Sequence, residues 1–139
     1  MKQASGTLRI ETHGQGLVEF TDAVLAWVAD TGVSEGLLTL FCRHTSASLL
    51  IQENAAREVR ADIQDYFAAI APEDPERYAH DDEGPDDMPA HLRTALTGVQ
   101  LSIPVQGARP VLGTWQGIYL FEHRRRPHRR EVAAHLIGN

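Results

Sequence analysis

The apolar positions of the chain change period several times, and each change marks an element. Over residues 7–13, TLRIETH, Leu8 and Ile10 alternate with Thr7, Arg9 and Glu11, the period of a strand with one buried face. Gly14 and Gly16 predict a turn. Phe20, Val24, Trp27 and Val28 then recur at helical spacing through Asp30, with Thr21 placed as the N-cap and Gly32 at the C-terminus. After Gly36 the run LLTLFCRHT reads as a central strand buried on both faces, ending in His44-Thr45-Ser46-Ala47-Ser48. Ala56, Val59, Ile63, Phe67 and Ile70 form the stripe of a second helix, which Glu53 and Asn54 open and Pro72 stops.

Residues 71–90 form one long irregular connection, and a segment of that length in a compact fold tends to be functional. Pro89 suits the first turn of a short third helix reaching about Gly98. Val99, Leu101, Ile103 and Val105 alternate with polar neighbours as a strand with one buried face. The turn QGARP leads to VLGTWQGIYLFEH, a long strand whose Ile118–Phe121 run predicts burial on both faces. Residues 124–130 read as a connection with a solvated tip, and Val132, Ala134 and Leu136 mark a closing strand. Strands dominate, with helices inserted between some of them. The expectation is an α+β fold in one domain over residues 1–139: mainly antiparallel or mixed sheets packed with about three helices.

Composition narrows the chemistry. The single cysteine, Cys42, forbids an intrachain disulfide and a cysteine-rich zinc site, so a transition-metal site must rest on histidine and carboxylate. The N-terminal MKQASGTLRIETHG lacks the apolar core of a secretory signal, and no apolar run approaches the roughly 20 residues of a membrane span. A cytoplasmic protein without a membrane partner is expected. The net charge is −6, yet RRRPHRR at 124–130 holds five of the 13 basic residues; without those five the rest stands at −11. Such a chain repels phosphate backbones almost everywhere, so a nucleic-acid partner is not expected.

The most unusual stretch is HDDEGPDDMPAH, residues 80–91: two histidines, five carboxylates, two prolines and a glycine. It is a solvated loop or a cation site. Placing Gly84 at the sixth position of a calcium loop puts Ala79 first and Ala90 twelfth, which removes both key carboxylates of an EF-hand. The chain also lacks an HExxH helix, a GxSxG elbow and a phosphate loop ending in Lys-Ser or Lys-Thr; its only lysine is Lys2. Cys42 lies in the most apolar run, where a thiol is packing rather than a nucleophile. What survives is convergence: His44 and His123 end two buried strands, and with His80 or His91 they could form a three-imidazole site with an open position.

His44-Thr45-Ser46-Ala47 with Glu53-Asn54, HDDEGPDDMPAH, Gly113-Thr114-Trp115-Gln116-Gly117 and Glu122-His123-Arg124, in this order, resemble the YjbQ family, also called secondary thiamine-phosphate synthases. The resemblance covers nearly the whole chain. It implies a compact homotrimer and a divalent metal, zinc, on histidines, with His44, His91 and His123 as ligands. It implies a weak joining of hydroxymethylpyrimidine diphosphate to thiazole phosphate with release of diphosphate. Glu53, His80 and Glu122 are then the expected acid and base groups. Thr45, Ser46, Asn54, Thr114, Gln116 and Arg124 are the expected contacts to a small phosphorylated substrate. Trp115 or Tyr119 could stack on the pyrimidine or belong to the core. His91, at a helix start, is the better-fixed ligand; His80 serves as acid, base or substrate contact. The alternative is a non-catalytic trimeric module that binds metal or a small ligand.

Overall fold

A computed structural model describes residues 1–139. The long pairing that frames it joins β1 (Lys2–Thr12) to β8 (His128–Gly138), antiparallel over eleven residues. Strand β3 (Gly36–Cys42) lies on the other side of β8, followed by β5 (Gln100–Gln106) and the short β6 (Arg109–Pro110). A second sheet of three strands has the order β2 (Gly16–Glu19), β7 (Gln116–Glu122), β4 (Ala47–Glu53). All pairings are antiparallel. Helix α1 (Thr21–Thr31) seals one end of the core with Val24 and Val28, while α2 (Arg57–Ile70) and α3 (Asp87–Thr97) cover the small sheet. The expected α+β class with three helices is what forms.

The core lies between the sheets. Leu38, Leu40, Val132, Ala134, Leu136 and Ile103 meet Ala47, Leu49, Ile118 and Leu120 there, all essentially without solvent. On β7 the alternate residues Tyr119, Phe121 and His123 face the other way and are also buried. Phe67 of α2 meets Phe121 edge to face at 5.6 Å. The small sheet is therefore a middle layer, which is why the Ile118–Phe121 run is covered on both sides as its pattern predicts.

Other expectations are corrected. Strand β3 is buried on one face only: Leu38, Leu40 and Cys42 point in, while Leu37 and Phe41 are about half exposed at 44% and 46%. Its continuous apolar run records two different surroundings, not two equal cores. Strands β2 and β4 are elements the pattern did not predict; β2 is only four residues that begin at Gly16, and SLLIQ in β4 carries no clear alternation. Thr21 is the first helical residue, not the cap. Its hydroxyl donates to Glu19 and accepts the Ile118 N–H, tying α1 to β7. Gly32 closes that helix in the left-handed region, φ 74°, as its position predicts. The α2 stripe is only half-buried, with Ile70 exposed, because one layer of sheet covers one side of it. The long strand starts at Gln116, leaving 111–115 as a loop with Trp115 63% exposed, so Trp115 is not core.

The arginine-rich segment is the largest correction. Its tip, residues 125–127, is exposed as expected, but the arginines that flank the tip are engaged. Arg130 is buried and paired with Glu122, Arg124 pairs with Asp86 and Asp87, Arg125 with Glu73, and Arg129 with Glu11. Arg124 and Arg130 serve as internal counter-charge, while the pairs of Arg125 and Arg129 lie at the surface.

Candidate functional site

Two features meet at the N-terminal half of α3. The first is a triad. His80 Nε2 lies 2.9 Å and His91 Nε2 3.1 Å from the same oxygen, Asp87 Oδ2. Asp87 and His91 sit four residues apart on one helical face, and the 71–86 segment folds back to bring His80 to them. Each member is held from behind. The His91 Nδ1–H donates to the Thr45 carbonyl at 3.0 Å, His80 Nδ1 faces Asp82 at 3.3 Å, and Arg124 Nη1 donates to the other Asp87 oxygen at 2.6 Å. Arg124 also binds Asp86 and the Glu83 carbonyl, which ties the acidic segment to the end of β7.

This donor set fits a divalent cation. The carbonyl partner fixes the proton of His91 on Nδ1 and frees Nε2, the arrangement by which outer contacts orient metal-bound imidazoles. The three donor atoms lie within 4.8 Å of one another, and two separations are near the ~3.3 Å edge of a tetrahedral zinc shell. Without a cation, protons occupy these contacts. Burial opposes the charge of Asp87, but the hydrogen bond from His80 and the charges of His91 and Arg124 outweigh it and hold the carboxyl below its ordinary range. The same hydrogen bond raises the pKa of His80.

The second feature is a cleft of about 840 Å³ between the end of β3 and α3. His91 belongs to both features. His44, Thr45, Ser46 and Arg130 form its polar side; Phe41 and Val99 are among its apolar residues. His44 Nε2 accepts the Glu131 N–H at 2.8 Å, so its ring proton sits on Nδ1, and burial followed by the Arg130 charge lowers its pKa.

The remaining expected residues divide. Glu122 is fully buried and accepts from Thr12 at 2.6 Å, from Arg130 Nε at 2.8 Å and Nη2, and from the N–H groups of His123 and Arg124. Burial opposes its charge, but these donors hold its pKa below the usual range. It supports the cleft and faces no open space. His123 lies apart from the triad. It is wholly buried against Phe121, its Nε2 engaged by Ser48 at 2.9 Å, and burial, then the Arg93 charge, push its pKa down to about 3. Glu53, Asn54, Thr114 and Gln116 lie at the opposite end of the small sheet, about 20 Å from Glu122 by strand length. Glu53 accepts from the N–H groups of Ala55 and Ala56, and Gln116 closes a turn on Gly113.

Sequence reasoning did not single out Asp87 or Arg130. The i, i+4 spacing of Asp87 and His91 could have found the first; the alternation of Val132, Ala134 and Leu136, carried back two residues, places Arg130 on the buried face and could have found the second.

An α+β fold of two antiparallel sheets with a His-Asp-His cluster at a helix start defines the class. The family model described as UPF0047 protein YjbQ-like matches residues 6–139. The chain is 51% identical over 137 residues to a UPF0047 protein of Synechocystis sp., covering 99% of this chain and 93% of that one. It is 42% identical over 133 residues to the UPF0047 protein YjbQ of Escherichia coli O157:H7, covering 95% and 96%. The crystal structure of a conserved hypothetical protein from Thermus thermophilus superposes with a TM-score of 0.85 at 34% identity, covering 95% of this chain and 99% of that one. The chain belongs to the YjbQ/UPF0047 family. No helix is long and apolar enough to cross a membrane.

Proposed function

We propose that this protein is a cytoplasmic, divalent-metal-dependent enzyme in which His80, Asp87 and His91 hold the cation, zinc, beside the cleft that takes a small phosphorylated substrate. The observation that carries this reading is the convergence of two imidazole nitrogens, one of them on the cleft residue His91, on one buried carboxylate oxygen. His91 keeps its place in the ligand set. His80 and Asp87 replace His44 and His123, whose ring nitrogens serve Glu131 and Ser48.

The reaction to test first is the one the family resemblance suggests: a bond forms between the thiazole nitrogen and the pyrimidine methylene carbon, and the carbon–oxygen bond to diphosphate breaks. A bound divalent cation supplies positive charge for a leaving diphosphate. The chain's own groups orient and exclude. Arg124 fixes the Asp87 carboxylate, the Thr45 carbonyl fixes His91, and Asp82 backs His80.

A homotrimer is part of the proposal. Leu37 and Ile137 stand opposite each other across β3 and β8, and with Phe41 they leave an apolar outer face on the large sheet. Light scattering in solution tests this assembly. Four of the five arginines of 124–130 are held in ion pairs, which supports the reading against a nucleic-acid partner.

Metal analysis of the purified chain should find one divalent ion per protomer, lost in Asp87→Asn and His91→Ala. Turnover of the two phosphorylated thiamine precursors should follow the metal. Absence of metal, with no change on substitution, would remove the reading. Bound metal that stabilises the fold without turnover of any phosphorylated substrate would leave the non-catalytic module in its place.

A further inference from the structure

The chain carries 19 acidic residues, yet no carboxylate lines its largest cleft. The polar groups there are donors. Arg130 is 3% exposed; its Nε and Nη2 are committed to Glu122 and Ser46, whereas Nη1 has no partner in the chain and is not among the occluded atoms. The backbone N–H groups of Thr45 and Ser46 have no partner either, while that of His44 is turned to the Cys42 sulfur. Behind them the Thr94 hydroxyl, 7% exposed, is the only occluded side-chain polar atom of the cleft residues without a partner. Such donors are left unpaired where an acceptor comes from outside.

The geometry points to an oxyanion receptor. Arg130 presents Nη1, together with the Ser46 hydroxyl and the N–H groups of Thr45 and Ser46, to the anionic head of a ligand whose apolar body lies against Phe41, Ala95 and Val99. Glu122 is the positioning residue. By occupying Nε and Nη2 from the buried side it fixes the guanidinium plane and leaves one edge for the ligand. Arg124 is excluded from this role, since its Nε, Nη1 and Nη2 are all spent on Asp86, Asp87 and the Glu83 carbonyl. This inference rests on the cleft being the substrate site but not on the cation.

The test is an amide-resolved NMR titration of the full chain after treatment with a chelator, using inorganic phosphate, acetate and phenyl phosphate as probes. Saturable shifts are expected at residues 44–46 and at the Arg130 side chain. Phenyl phosphate should also shift Phe41, Ala95 and Val99 and bind about tenfold more tightly than phosphate. Phosphate and acetate distinguish a tetrahedral from a planar head group. Ser46→Ala and Thr45→Val should keep the fold, the first weakening phosphate about tenfold. The charge-neutral double variant Glu122→Gln/Arg130→Gln should abolish binding, and Gln106→Ala, exposed at the far end of β5, should leave it unchanged. Shifts confined to exposed arginines such as Arg126, or no saturation at residues 44–46, would overturn the receptor. Saturable phosphate binding in a chain that binds no metal would sustain it while the metal reading fails.

Discussion

At one end of the three-stranded sheet Glu122 stands opposite Ala47, and at the other Glu53 stands opposite Gln116. Both glutamates end a strand beside other polar residues. Glu53 spends its carboxylate on two backbone N–H groups of the turn into α2. Glu122 spends its own on an arginine that faces a cleft. The first ends a local account; the second passes its effect to a cavity. Polar residues at strand ends acquire a functional role only where neighbouring elements leave donors unpaired and space in front of them.

The comparison can be broken by substitution. Glu122→Gln should cost most, about 3–5 kcal/mol, because Arg130 is left as an uncompensated buried charge; a melting curve checks it, and a loss near that of a surface glutamate would show that Glu122 is not the anchor. Asp87→Asn should weaken divalent-cation affinity at least about 100-fold, or ~2.7 kcal/mol, as read by competition with a metal-binding dye. Glu53→Ala should cost only about 1 kcal/mol, the loss of a capping acceptor, with metal and phosphate binding unchanged. A Glu53 variant that lost ligand binding would contradict the separation of the two ends.

The pH dependences sharpen the same contrast. His123 is neutral in the fold down to about pH 3 but takes a proton near pH 6.5 when unfolded. The unfolded chain therefore binds the extra proton between those values, and stability contributed by this buried imidazole falls as pH drops through that window. Urea titrations at stepped pH should show it, and His123→Gln should flatten the slope. His80 behaves oppositely. Its pKa is raised by Asp87, so its contribution is full below the unfolded value and fades as pH rises through the folded one. The effect is small because the ring is exposed. NMR titration of the metal-free chain should show the His80 pKa above the ordinary 6.5, returning toward it in Asp87→Asn.

Much of the fold was legible because burial alternates where one sheet face meets the core. Leu8 and Ile10, Ile103 and Val105, and Val132 to Leu136 obey that rule, and Gly32 marked a helix end. β4 was missed because three layers meet at it, so Ser48 and Leu49 are buried on opposite faces and the period disappears. The site was half legible. His80 and His91 stood out in an acidic segment with no regular structure to satisfy, and Asp87 was four residues from His91. His44 reached the cleft as expected from a strand end, but it is His80 and Asp87 that the 71–86 fold-back brings to His91.

The sequence by itself determined the element types, the acidic excess and the segment in which a cation site would have to lie. Those properties depend on neighbours a few residues apart. Only the tertiary structure decided which carboxylates meet the arginines: Glu122 at Arg130, and Asp86 and Asp87 at Arg124. It also decided that Asp87, rather than His123, meets His91. The reason is physical: a charge is placed by the lowest total of desolvation and pairing, and for Arg130 and Glu122 that total depends on Thr12 and Ser46, far away in the chain and adjacent only after β1, β7 and β8 have met.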